Sequence, residues 1–275
     1  MPAGAASICN PADMPPVSDE IRFDVEPALE APALILAFQG WNDAGDAASN
    51  AAEFIANALG AAPLGEIDGE HYYDFTVQRP VVEQGEHGRR TITWPRFALR
   101  YAVIPGRTEL VIGVGPEPHT HWRKWCDEMV RMARKLRVSR IVLLGAFLAD
   151  VVYSLPVHVT GFAWPPERME ELGLRASNYE GPTGIVGVLG SVYPEAGLET
   201  VAFWAGLPHY IPLTPNPRGT LALVQMAARY LDLPIDRTPL EREAAEYEGK
   251  TSELVAADPQ LAEYVRELKK RGFAQ

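Results

Sequence analysis

Apolar and polar positions change their period several times along the chain, and the first change is the most informative. An unbroken apolar run, Leu34–Phe38, predicts a buried strand, and it ends at Gly40. From about Asp43 or Asp46 to Leu59, small and apolar residues recur at helical spacing, which predicts an amphipathic helix. A strand, a tight turn and a helix in this order are typical of an open α/β sheet, where ligands usually bind beside the carboxyl ends of the strands.

The pattern changes to alternation between residues 66 and 105. Aromatic and β-branched residues alternate there with polar ones, which predicts antiparallel β structure. A turn-forming stretch, Gly85–Gly88, indicates a hairpin. Two placements stay open, since this segment could extend the main sheet or form a flap.

Alternating strand and helix patterns return after residue 105. The predicted strands are Leu110–Val114, Arg140–Leu144, residues 157–162 and Leu198–Ala205. Two helices are predicted over residues 122–136 and 166–172. A third is predicted to begin at Thr183, in a run that is ambiguous between helix and strand, and a fourth begins at the Asn216 cap and ends at Leu231.

The two ends of the chain differ in composition from its middle. Residues 1–16 are rich in proline and small residues, which predicts a flexible arm. Residues 236–275 are helical in period and charged, with a second helix start at Asp258, which predicts a helical appendage. We therefore expect an α/β core domain over residues 17–235, with residues 66–105 as a β extension within it.

The charge distribution argues against polyanionic partners. The net charge is −11, and residues 1–70 hold twelve acidic residues against Arg22 alone. Such an acidic surface repels nucleic acid and anionic membranes. No apolar run is long enough to span a bilayer, no signal-peptide pattern opens the chain, and only Cys9 and Cys126 are present. We therefore expect a soluble, cytoplasmic protein.

Known catalytic signatures are mostly missing. Gly113 and Gly115 lack the third glycine of a dinucleotide fingerprint. His119 and His121 could bind a metal beside Glu117, but no third ligand is evident, and helix capping or a surface position is the preferred interpretation. Cys126 falls on the apolar stripe of its helix, as expected for a core residue. No catalytic residue, metal site or cofactor is predicted.

Loops that carry glycine and follow predicted strands or precede helices form the candidate site. In a doubly wound sheet several of them would gather at one edge and line a pocket or an interaction surface. Asp43 and Asp46 are interpreted as helix caps in preference to a general base or cation ligand, and His209 could shuttle protons. The candidate residues are Gln39, Gly40, Trp41, Asn42, Asp43, Gly45, Asp46, Gly115, Glu117, Gly145, Asp150, Glu180, Gly181, Thr183, Gly184, His209 and Tyr210.

An ordered series of segments carries a family resemblance. The segments are FQGWNDAGDAAS, DFTVQRP, ITWP, LLGAFLADV, NYEGPTGIVGVL, WAGLPHY and NPRGTLAL. These segments resemble the bacterial branch of the proteasome assembly chaperone family, and the match runs from about Leu34 to Asp258. The resemblance implies a phosphorylase/hydrolase-like α/β fold, a three-layer sandwich with a mixed, mainly parallel central sheet. It also implies homo-oligomers and, from eukaryotic and archaeal relatives, a chaperone that binds proteasome subunits.

Two functions remain open from the sequence. The leading prediction is a non-catalytic assembly or interaction protein that acts as a homo-oligomer, with proteasome subunits or another protein as the expected partner. The alternative is a small-molecule binder or enzyme for a nucleoside-like or carboxylate or amine ligand at the carboxyl edge of the sheet.

Overall fold

The fold is built around one large sheet and one small one. The computed structural model describes residues 20–85, 89–174 and 179–272, so the predicted arm, residues 1–16, lies outside the described residues. The strands are β1 (Ile21–Phe23), β2 (Ala33–Gln39), β3 (Ala62–Asp68), β4 (Val81–Gln84), β5 (Arg90–Thr93), β6 (Arg96–Ala102), β7 (Leu110–Pro116), β8 (Arg140–Ala149), β9 (Val159–Trp164) and β10 (Thr200–Pro208).

Eight of these strands form the main sheet in the order β1-β3-β6-β7-β2-β8-β10-β9. The four strands at its centre, β7, β2, β8 and β10, are parallel. The strands outside them pair antiparallel. Fully buried stretches such as Ala33–Phe38 explain the unbroken apolar runs, because a central parallel strand is covered on both faces.

Helices cover both faces of the sheet, which confirms the predicted three-layer α/β architecture. The helices are α1 (Ala47–Ala58), α2 (Trp122–Lys135), α3 (Glu167–Leu172), α4 (Ile185–Glu195), α5 (Pro217–Leu231), α6 (Thr238–Ala257) and α7 (Pro259–Gly272). One hydrophobic core lies under α1 and α5, where buried alanines such as Ala48 and Ala51 let α1 approach the strands closely. The second core lies under α2 and α4.

Trp125 lies at the centre of the second core. Its side chain is fully buried, and its ring contacts those of Tyr72 and Phe97 at centroid distances of 4.8 and 5.4 Å. The neighbouring Cys126 is 3% exposed, and burial raises the pKa of its thiol to about 11. Cys126 is therefore a core residue, as its place on the helical stripe predicts.

The segment from residue 66 to residue 105 contributes strands to both sheets. Strands β3 and β6 extend the main sheet on one side. Strands β4 and β5 form a separate two-stranded ladder, in which Val81 faces Thr93, and every residue of both strands is exposed. The turn predicted at Gly85–Gly88 falls largely on residues 86–88, outside the described residues.

The last two helices pack against the rest of the chain. A third apolar cluster joins Tyr247 and Val255 of α6 and Val265 of α7 to Ile211, which follows β10. Helix α7 begins after Asp258, whose carboxylate accepts a hydrogen bond from the amide of Gln260 (2.9 Å), as the sequence predicts. No helix in the part of the chain described above is both long and apolar enough to cross a membrane. The division into a core and an appendage stays a prediction.

Candidate functional site

The four parallel strands end at one edge of the sheet, at Gln39, Pro116, Ala149 and Pro208. Most of the candidate residues lie on these strand ends and on the loops that follow them. Two glycines predicted to lie in loops are instead inside strands: Gly115 in β7 and Gly145 in β8. A Cβ on Gly145 would lie 2.5 Å from the Trp204 ring, so close packing explains this glycine and no ligand is needed.

Glu117 joins three separate parts of the chain at this edge. Its Oε1 accepts hydrogen bonds from Asn42 Nδ2 (2.7 Å) and from the amide of Ile185 (2.6 Å). Its own amide donates to the carbonyl of Gln39 (2.9 Å). The carboxylate therefore ties the loops after β2 and β7 to the amino terminus of α4, where negative charge is favourable. We call the contact among Asn42, Asp43, Glu117, Gly184 and Ile185 the Asn42 seam.

The prediction that Thr183 opens α4 is wrong. Gly184 occupies the N-cap position and has no capping side chain, and Thr183 is exposed. The Glu117 carboxylate, 68 residues earlier in the chain, takes the place of a local cap by accepting from Ile185. A contact at this sequence separation leaves no signal in the local pattern.

Asn42 fills the centre of the seam. Its side chain is fully buried, and its backbone carbonyl accepts a hydrogen bond from the amide of Ala146 in β8 (2.8 Å). A Cβ on Gly184 would lie 2.2 Å from Asn42 Oδ1, so the two loops are in direct contact. Asn42 Oδ1 itself is buried and has no hydrogen-bond partner in the described parts of the chain.

Asp43 stabilises the start of α1, and its carboxylate is buried. The residue is 5% exposed, and its Oδ1 accepts from the amides of Ala48 (2.7 Å) and Ser49 (3.1 Å). Burial raises the pKa of this carboxyl above the ordinary aspartate value, although the Ser49 and Ala48 hydrogen bonds act in the opposite direction. Asp43 therefore caps the helix as expected. Asp46, at the N-cap position itself, is exposed and forms no side-chain capping bond.

The remaining candidates near the seam are exposed or pack against other elements. Gly40 has a φ of +113° and Gly45 a φ of +59°, and both values favour glycine. The carbonyl of Gly45 accepts from the amide of Asn216, which caps α5. Trp41 is 64% exposed. Exposed positions are also held by Gln39, Glu180 and Gly181.

A second group of candidates lies at the ends of β8 and β10. Asp150 Oδ1 accepts from Tyr264 Oη (2.9 Å) and lies 2.9 Å from His209 Nε2. Tyr210 donates to the carbonyl of Val151 (2.8 Å). We call Asp150, His209, Tyr210 and Tyr264 the Asp150 cluster. Tyr264 is not among the predicted site residues, because the sequence shows only its recurrence among the apolar positions of the appendage.

A cavity of about 360 Å³ lies beside the Asp150 cluster, between the strand ends and the last two helices. Its walls include Leu155, Val157, Leu207, Leu268 and, as polar members, Asn216, Arg218, Tyr247 and Arg271. The side chain of Arg218 is only 14% exposed. None of these polar residues was predicted as a site residue, because α6 and α7 contribute a wall that the strand-and-turn pattern does not show.

The two histidines considered as metal ligands contact the backbone of residues 71–74. His119 Nδ1 accepts from the amide of Asp74 (3.1 Å), and His121 Nδ1 lies 2.9 Å from the carbonyl of His71. Over the described ranges, no three histidine, cysteine, aspartate or glutamate side chains are arranged to hold a metal ion.

The fold and this edge together define a class: a three-layer α/β protein with a mixed sheet, whose strand-end loops meet one another and the amino end of a helix. The model of the PAC2 family matches residues 37–255, and the chain belongs to that family. No curated protein matches the chain.

Solved structures agree with this assignment. The chain is 41% identical to a proteasome-assembly chaperone homologue from Mycobacterium tuberculosis, with 85% of this chain and 99% of that chain covered and a TM-score of 0.78. It is 38% identical to a PAC2 family protein from Streptomyces avermitilis, with 85% and 99% covered and a TM-score of 0.78. The archaeal proteasome activator PbaB from Pyrococcus furiosus shares the fold at 17% identity, with 85% and 97% covered and a TM-score of 0.70.

Proposed function

We propose that this protein is a non-catalytic assembly protein that forms a homo-oligomer and binds protein partners, with proteasome subunits as the expected class. Membership in the PAC2 family supports this proposal, as do relatives described as a proteasome-assembly chaperone homologue and a proteasome activator. The proposal places the protein in the cytoplasm.

The observation that carries the proposal is which side chains are buried and which are exposed at the carboxyl edge of the sheet. Two polar residues that the alternative function would use there, Asn42 and Asp43, are buried and hold loops and a helix together. Apolar side chains are exposed instead: Trp41 (64%), Phe147 (39%) and Leu148 (60%). Large apolar side chains exposed around one edge of a sheet are typical of a protein interface.

These three residues belong to neighbouring parts of the edge. Asp43 pairs with Ala146 in a parallel bridge, which brings the turn that carries Trp41 beside the end of β8. Phe147 and Leu148 follow Ala146 directly in β8, and as neighbours on a strand they point to opposite faces of the sheet, so they flank this edge on both sides. We call Trp41, Phe147 and Leu148 the edge patch, and we propose it as the contact surface.

The oligomer can be tested by native mass spectrometry of the full chain. We expect a discrete oligomer that the double variant Trp41→Ser, Leu148→Ser shifts toward monomer, with an unchanged circular-dichroism spectrum because both side chains are exposed on the single chain. Trp164→Ser is the matched control. It removes an exposed tryptophan (44%) that pairs with Thr200 at the opposite end of the sheet.

Partner binding is tested by pulldown with purified proteasome subunits, which the wild type should retain and the double variant should lose. A strictly monomeric wild type that retains no subunit would contradict the proposal. An equal loss in the Trp164→Ser control would contradict the assignment to the edge patch.

A further inference from the structure

Arg218 is a cation that is largely withdrawn from water at the cavity beside the Asp150 cluster. Its Nη2 donates to the carbonyl of Leu155 (2.7 Å), and its Nε lies 3.6 Å from Glu248 Oε2. The second distance is long for a hydrogen bond. A guanidinium group presents five N–H donors, and a buried charge is costly unless those donors are paired. Among the described residues, Arg218 therefore has donors left for an acceptor supplied from the cavity.

The surroundings of Arg218 add to its preference for an anion. Arg218 lies in the first turn of α5, and the amino end of a helix carries a partial positive charge. Arg271 lines the same cavity from α7. The carboxylate of Asp150 is already engaged by Tyr264 and His209. Two arginines therefore line this cavity, each with a glutamate at the edge of ion-pair distance: Glu248 at 3.6 Å from Arg218 and Glu267 at 3.9 Å from Arg271.

The rest of the wall limits the size and charge of the occupant. Leu155, Val157, Leu207 and Leu268 present apolar surface, which suits an aliphatic body. Tyr247 Oη already donates to the carbonyl of Leu213 (3.1 Å) and accepts from Asn216 Nδ2 (3.2 Å). A multiply charged head group such as phosphate would meet Glu248 beside Arg218, whereas a planar monocarboxylate matches the fork of one guanidinium.

We propose that this cavity binds a small aliphatic monocarboxylate, with the carboxylate on Arg218 and the carbon chain against Leu207 and Leu268. The site is separate from the edge patch and does not depend on the proposed assembly function. It uses residues of α5, α6 and α7 together, so it exists only where the last two helices are packed on the sheet.

The probes for this site are octanoate, octylamine and 1-octanol, titrated into the full chain by isothermal titration calorimetry. Octanoate should bind, and the amine and the alcohol should bind at least about tenfold more weakly, because the guanidinium recognises the carboxylate. Arg218→Gln should weaken octanoate binding about tenfold or more, and Arg218→Lys should fall between it and the wild type. Arg237→Gln is the matched control, since Arg237 pairs with Glu241 outside the cavity.

A second variant keeps the test decisive if Arg218→Gln fails to fold. Glu248 is 42% exposed on α6, so Glu248→Gln should fold normally. Removing its charge frees Arg218 and removes repulsion toward the ligand, so octanoate should bind roughly threefold more tightly. Equal binding of octanoate and octanol, weaker binding by Glu248→Gln, or equal effects of Arg218→Gln and Arg237→Gln would each overturn the proposal.

Discussion

The Asn42 seam and the cavity beside the Asp150 cluster lie at the same edge of the sheet and yet differ in packing. At the seam, the loops after β2 and β7 meet each other and the amino end of α4, and Asn42 is fully buried. At the cavity, β8 and β10 run on to Ala149 and Pro208, and α6 and α7 enclose a volume of about 360 Å³ against them.

The difference shows that a position at the carboxyl edge of parallel strands does not by itself make a ligand site. The edge supplies polar loops, but the helices that pack on these loops determine whether a cavity remains. Gly184 has no side chain, so α4 comes close enough to fill the space over Asn42. Where long helices pack instead, a cavity with Arg218 at its wall remains.

The largest expected effect comes from placing one carbon atom in the seam. Gly184→Ala puts a Cβ 2.2 Å from Asn42 Oδ1, so Asn42 must move and weaken its hydrogen bond to Glu117. We expect a loss of about 2–4 kcal/mol in the free energy of unfolding, measured by urea denaturation.

Gly249→Ala is the matched control for that substitution. Gly249 lies inside α6 with no atom within 4 Å of an added Cβ, and alanine is the better helix former. The control should therefore stabilise the protein by roughly 0.5–1 kcal/mol. If both variants changed stability by the same amount, the seam would not be tightly packed.

A smaller loss should follow from removing the charge of Glu117. Glu117→Gln keeps one side-chain oxygen as an acceptor. Asn42 Nδ2 and the Ile185 amide would then donate to a neutral amide oxygen in place of a charged carboxylate oxygen. We expect a destabilisation of about 1–2 kcal/mol by urea denaturation, with octanoate binding at the cavity unchanged. A loss of octanoate binding in this variant would show that the seam and the cavity are coupled.

The sequence predicts the fold well because the fold depends on local periodicity. The buried run at Leu34–Phe38 falls inside β2, and α2 begins at Trp122 as predicted. Helix α5 has Asn216 as its N-cap and begins at Pro217, as the Asn-Pro pair predicts. The end of β8 was predicted five residues too early, at Leu144. Gly145 interrupts the apolar pattern, but pairing with β10 carries the strand on to Ala149.

The candidate site is only partly visible in the sequence because its contacts join distant segments. Asn42 and Asp43 were found from the strand-turn-helix pattern, and Glu117 from its place after β7. The partner that closes the seam, the amide of Ile185, is 68 residues from Glu117. Arg218 and Tyr264 were missed since their environment is made by the packing of α6 and α7, which no local pattern encodes.

The smallest effect at neutral pH, and the most specific, concerns the protonation of Asp43. Because burial raises its pKa in the folded protein, the folded state binds more protons than the unfolded state between the ordinary aspartate pKa and the raised one. The contribution of Asp43 to wild-type stability should therefore fall as the pH rises through that interval and level off above it. Asp43→Asn cannot ionise and keeps an acceptor for the Ala48 amide, so it should lack this dependence. The difference in unfolding free energy, variant minus wild type, should rise with pH through that interval and then stay constant, measured by urea denaturation at a series of pH values. A difference that instead falls as the pH rises would mean that the ionised carboxylate, held by the amides of Ala48 and Ser49, stabilises the seam.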